Sequence, residues 1–129
     1  MKIFGIGTDV VNINRIEKSL KKGGNKFKEK IFTKKEIVYC DKKKNSASFY
    51  AKRFAAKEAF SKAVGTGISR NVSFKNIEIL NNKYGQPFIK LQGKTENFLK
   101  KKFKKKKYLI YLSLSDDKPW AQATVLISY

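Results

Sequence analysis

A chain of 129 residues is long enough for one domain with a real core and too short for two comfortable ones. A hydrophobic content of 41% argues against wholesale disorder; a single cysteine, Cys40, excludes an intramolecular disulfide, and the lack of histidine argues against zinc sites and Ser/His or Cys/His catalysis. The net charge of +20 marks a surface that attracts acidic partners and polyphosphates, although 27 lysines against three arginines is also what codon bias in an AT-rich genome supplies.

The first residues carry no charged segment followed by an apolar core, and no apolar run approaches the roughly 20 residues that span a bilayer. These features predict a soluble, cytoplasmic protein without a membrane partner.

The opening "KIFGIGTDVVNI" alternates as a strand does. Phe4, Ile6 and Val10 share one face, and Gly5, Gly7 and Asp9 the other, where the glycines leave room for something to approach the carboxylate. "NRIEKSLKKGGNKF" reads as a short helix capped by Asn14, with Glu17 completing a capping box, and stopped by Gly23-Gly24. The basic, polar run "TKKEIVYCDKKKNSAS" is expected to contain one or two helical turns and then a loop. Asn45, Ser46 or Ser48 then starts a long helix ending at Gly65-Thr66-Gly67.

Beyond it, "FKNIEIL" and "PFIKLQG" flank "NNKYGQ" as a hairpin. "TENFLKKKFKKKK" predicts a helix capped by Thr95, with Phe98, Leu99 and Phe103 on its apolar side. "YLIYLSLS" and "AQATVLISY" close the chain as two strands joined by "DDKP". Neither a repeat nor a linker interrupts residues 1–129, which predicts a single α+β domain with an antiparallel-rich sheet packed against a long central helix.

The carboxylate in "RFAAKEAFSKAVGTGI" is the most informative position. At about 100° per residue, Glu58 falls among Ala51, Phe54, Ala55 and Lys62 on a largely apolar stripe. An ion pair with Lys62 at i+4 explains it cheaply, for about 0.2–0.5 kcal/mol. Asp9, a second acid among apolar neighbours, supports a different reading. Two carboxylates brought together raise each other's pKa unless a cation lies between them, and Mg²⁺ accepts one or two carboxylates and completes its shell with water and phosphate oxygens. Lys57 and Lys62 are then candidate phosphate ligands, and the turn after the helix offers backbone N–H groups. The alternative, a basic nucleic-acid-binding module, rests on the lysine run 100–107, which lacks alternating aromatic residues for base stacking.

"GIGTDVVNINRIEK" followed by "KRFAAKEAFSKAVGTGI" resembles the two signatures of the holo-[acyl-carrier-protein] synthase family of 4′-phosphopantetheinyl transferases. "YGQPFIKL" and "LSLSDDKPWAQATVLI" are similar to that family's hairpin and closing strand pair, so the resemblance covers nearly the whole chain.

It implies transfer of phosphopantetheine from coenzyme A to a serine of apo-acyl carrier protein, releasing adenosine 3′,5′-bisphosphate in support of fatty acid biosynthesis. Asp9 and Glu58 would hold Mg²⁺ and Lys62 would contact the phosphates. Gly65, Thr66, Ser113, Tyr111 and the Gly85–Pro87 turn would lie along the cofactor. Arg15, Lys18, Lys22, Lys26 and Lys30 would meet the acidic carrier protein. A homotrimer with its active sites between subunits is implied, and no nucleic-acid partner. Tyr111 stands where many members carry histidine, and Asp116 where some carry a second histidine and others an acidic residue.

Overall fold

Nineteen consecutive residues without glycine or proline, six of them alanine, form the helix on which the other elements are built. The computed structural model describes residues 1–129, and this helix is α3 (Ser46–Val64) in the order β1 (Ile3–Asn12), α1 (Ile13–Ile31), α2 (Lys34–Asp41), α3, β2 (Ile77–Asn81), β3 (Pro87–Leu91), α4 (Gly93–Lys102), β4 (Leu109–Asp117) and β5 (Trp120–Ser128). Thirteen of the nineteen α3 residues are buried, because its small and apolar side chains are spread around the helix instead of along one stripe, and it is enclosed on most sides. It ends where expected: Gly65 takes the left-handed conformation at φ 98°, and the N–H groups of Gly65 and Gly67 both return to the Ser61 carbonyl.

Two antiparallel sheets surround this helix, one of three strands in the order β1-β5-β4 and one formed by β2 and β3 alone. The α+β architecture, antiparallel sheets against a long central helix, is the one expected. The roles of the two faces of β1 are reversed, however. Ile6 and Val10 are 65% and 59% exposed, whereas Gly7 and Val11 are buried. A Cβ added at Gly7 would lie 1.9 Å from the Ala59 carbonyl oxygen, and one at Gly5 equally close to that of Ala63. The glycines therefore clear space for the backbone of α3 and not for a ligand.

Helix α1 starts two residues earlier than expected, capped by Asn12, whose side chain accepts from the Asn14 N–H. Glu17 makes no capping box and pairs with Lys21 at 3.3 Å. Gly24, at φ 52°, does break the helix, but a second helical stretch continues to Ile31. The capping box lies at α2, between Thr33 and Glu36. Thr95 does not cap α4: Gln92 occupies that place, while the fully buried Thr95 hydroxyl donates to Asn71 O and accepts from Ser73 N. Residues 74–76 form a short 3₁₀ turn instead of continuing β2. Strands β4 and β5 extend until only Lys118 and Pro119 separate them.

Candidate active site

Two residues after Gly7, on the same face of β1, Asp9 stands beside α3. Glu58 and Lys62, one turn apart on α3, face it. The two carboxylates open into a pocket of about 400 Å³ between β1, α1 and α3, lined also by Arg15, Ser19, Phe27 and Phe54. Lys62 Nζ lies 3.1 Å from Asp9 Oδ1 and 3.0 Å from the Thr8 carbonyl oxygen. The i, i+4 ion pair with Glu58 does not form, and Lys62 neutralises Asp9 instead.

Glu58 is left half-buried without a cation of its own. Burial raises its pKa above the ordinary carboxylate value and the Asp9 charge raises it further, with Lys62 opposing both. A larger recess of about 700 Å³ lies between α1 and the start of α3, but its acid, Glu17, is already tied to Lys21 and has no second carboxylate beside it.

Two carboxylates with no nitrogen or sulfur ligand suit a hard divalent cation such as Mg²⁺. No cluster of three or more acidic, histidine or cysteine side chains exists, so such an ion would draw the rest of its shell from water and substrate oxygens. Asp9 and Glu58 fit that role: one is now balanced by an ammonium group, and the other is an acid whose charged form lacks a counter-ion.

Lys57 requires a correction. It is fully buried and points away from the pocket, donating to Glu36 Oε1 at 2.8 Å, Phe74 O at 2.8 Å and Ile77 O at 2.7 Å. All three ammonium donors are used, so Lys57 cannot serve as a phosphate ligand. Tyr111 and Ser113 are also separated from the carboxylates. In the ladder Tyr111 aligns with Leu126 and Ile6, and Ser113 with Thr124 and Thr8, on the sheet face turned away from α3. Within one chain they cannot join Asp9 and Glu58.

Gly65 and Thr66 are exposed at the end of α3, just beyond Lys62, and the Thr66 hydroxyl donates to Gly67 O. Arg15, Lys18, Lys22, Lys26 and Lys30 are all exposed along α1. Asp116 pairs with Lys52 at 3.1 Å.

Pro87 opens β3, and the neighbouring turn borders a second pocket of about 520 Å³, lined by Arg53, Lys35, Lys83, Asn82, Gly85 and Phe88. Arg53 escaped the sequence reading. It is 2% exposed, lies 4.2 Å over the Tyr39 ring and donates to Asn81 Oδ1 at 2.6 Å; its Nε has no partner and no carboxylate balances it. A buried guanidinium without a counter-ion, flanked by two lysines, suits an anionic ligand group. Its signal in the sequence was its identity: one of three arginines among 30 basic residues, inside the central motif.

The sequence profile of the 4′-phosphopantetheinyl transferase superfamily matches residues 5–124. A holo-[acyl-carrier-protein] synthase of Pelagibacter ubique is 46% identical over 127 residues, 98% of each chain. The crystal structure of the holo-[acyl-carrier-protein] synthase of Neisseria meningitidis superposes with a TM-score of 0.89 at 38% identity, covering 98% of this chain and 99% of that one. The Bacillus anthracis synthase, solved in complex with CoA (3′,5′-ADP), gives 0.80 at 39% identity, over 98% and 97%.

Proposed function

The chain belongs to the 4′-phosphopantetheinyl transferase superfamily, and we propose that it moves the 4′-phosphopantetheine group of coenzyme A onto a serine of apo-acyl carrier protein, in support of fatty acid biosynthesis. The observation that carries this reading is the convergence of Asp9, Glu58 and Arg15 on one pocket, with Lys62 held against Asp9. Asp9 and Glu58 would hold Mg²⁺, whose charge would offset that of the diphosphate being cleaved.

The chain's own residues supply the rest. Lys62 is half-exposed and needs only to turn from Asp9 to donate to phosphate oxygens, where charge develops as the bond breaks. Arg53, with Lys35 and Lys83, is the companion site for another anionic group of coenzyme A. Asp9 is engaged by the Lys62 ammonium, which leaves Glu58 as the carboxylate free to accept the proton of the serine hydroxyl. The lysines of α1 leave the pocket edge through Arg15, which suits an acidic carrier protein docking there.

The sheet face turned away from α3 exposes Ile6, Val10 and Tyr111, and no element of the chain covers it. This supports a homotrimer, in which Tyr111 and Ser113 of one protomer approach the carboxylates of its partner. The test is mass spectrometry of apo-acyl carrier protein after incubation with the purified protein, Mg²⁺ and coenzyme A. The expected result is the gain of one phosphopantetheine, lost in Asp9→Ala and Glu58→Ala proteins that still fold. Unimpaired turnover in either variant would remove the metal assignment.

A further inference from the structure

Lys57 and Glu36 take no part in either pocket, yet both are buried charges whose bonds join separate elements. Glu36 Oε1 accepts from Lys57 and, at 2.8 Å, from the Thr33 N–H that opens α2; its Oε2 accepts from the Ile79 N–H in the middle of β2 at 3.0 Å. Lys57 reaches the Ile77 carbonyl where β2 begins, and Arg53, one turn earlier on α3, reaches Asn81 where β2 ends. Helix α3 thus grips β2 at its start and its end, and α2, through Glu36, holds its middle. Thr33 extends the grip by donating to Glu78 at 2.6 Å, and Gln92 donates to the other oxygen of the same carboxylate at 2.8 Å.

This network matters because β2 and β3 form a two-stranded sheet with no ladder to the larger one, and an isolated hairpin is marginal in water. Apolar side chains of the same volume fill such a space with comparable stability. What an ion pair with shared backbone acceptors adds is direction, since each bond tolerates only a narrow range of positions. The position set here is that of the hairpin, whose Asn82, Gly85 and Phe88 form one wall of the pocket beside Arg53.

We propose that Lys57 and Glu36 are positioning residues, fixing the hairpin wall of the Arg53 pocket against the helix that carries Glu58, and thereby setting affinity for coenzyme A. The identity of that ligand rests on the transferase reading; the mechanical part does not. Steady-state kinetics on Glu36→Gln, Lys57→Met and the doubly apolar Glu36→Leu/Lys57→Met protein provide the test, each with its melting temperature. The KM for coenzyme A rises on the order of tenfold in all three, while kcat and the KM for carrier protein stay within about threefold.

The double variant regains melting temperature, because no uncompensated charge remains buried, but does not regain KM. A KM that returns together with the melting temperature, or a loss confined to kcat, overturns the proposal. Amide hydrogen exchange on Glu36→Gln, the mildest change, needs no substrate. The amides of residues 81–86 exchange faster while the β1–β5 ladder keeps its protection; unchanged exchange in the hairpin also overturns it. A wild-type protein without transfer activity defeats the transferase reading alone, because the exchange result still decides whether the pair holds the hairpin.

Discussion

The two faces of the three-stranded sheet are built from the same strands but meet different surroundings. Toward α3 stand Gly5, Gly7, Asp9 and Val11 of β1, aligned with the buried Ala121, Ala123, Val125 and Ile127 of β5. Away from it stand Ile6, Thr8 and Val10, aligned with Leu126, Thr124 and Gln122. The larger apolar residues of β1 lie on the open face and the smallest on the packed one. Hydrophobic size identifies a core face only when the opposing layer is at ordinary distance. Here α3 presents Ala59 and Ala63 and lies so close that only a hydrogen atom fits beneath their carbonyls. The contact that excludes side chains at Gly5 and Gly7 also delivers Asp9 beside Glu58.

Adding one methyl group to the packed face has the largest expected effect. At Gly7 a Cβ meets the Ala59 carbonyl oxygen at 1.9 Å and the Ala63 nitrogen at 2.6 Å, both backbone atoms that cannot rotate aside. Gly7→Ala should cost about 3 kcal/mol or more, read as a lowered urea midpoint or as failure to fold. A near-neutral result would mean that α3 sits further from β1 than described.

A charge on the open face should act differently. Ile6→Asp leaves the fold within about 1 kcal/mol of wild type by urea unfolding, because the side chain already meets water in the single chain. Light scattering should show the proposed trimer dissociated, with transfer activity lost alongside. An Ile6→Asp protein that remains trimeric and active would show that this face is not the interface, leaving Tyr111 and Ser113 without a route to the carboxylates.

The sequence made some of this legible and hid the rest for identifiable reasons. Helix α3 and its glycine stop were clear because an alanine-rich run ending in Gly-Thr-Gly has local causes. Asp9 and Glu58 are legible as costly acids, a property of each residue with its near neighbours. The fate of Lys57 was not legible: Lys57 and Glu58 are adjacent, and only the fold decides that one points to Glu36 and the other into the pocket. The capping box at Thr33 was readable from Thr-x-x-Glu, but its glutamate's further bonds to Lys57 and Ile79 cross 21 and 43 residues of sequence. Arg53 was obscured by the lysine excess that made every basic residue look like surface.

The smallest expected effect tests what Glu58 is doing on the packed side. Its folded pKa lies above the ordinary value of 4.5, because burial and Asp9 both penalise its charged form. Between those two values the native state holds more protons than the unfolded chain, so stability falls as pH rises through that window. Glu58→Gln removes this loss. At neutral pH the variant should match or slightly exceed wild-type stability, by less than about 1 kcal/mol since the half-open pocket screens the charges. The advantage should disappear below the ordinary glutamate pKa, where both forms are neutral. Urea titrations at neutral pH and near pH 4 measure the difference directly. A Gln variant less stable than wild type at neutral pH would mean that the carboxylate is held by a cation within the fold. Lys62 is the only candidate that contacts this acid pair, and it would then be a structural counter-ion and not a phosphate ligand.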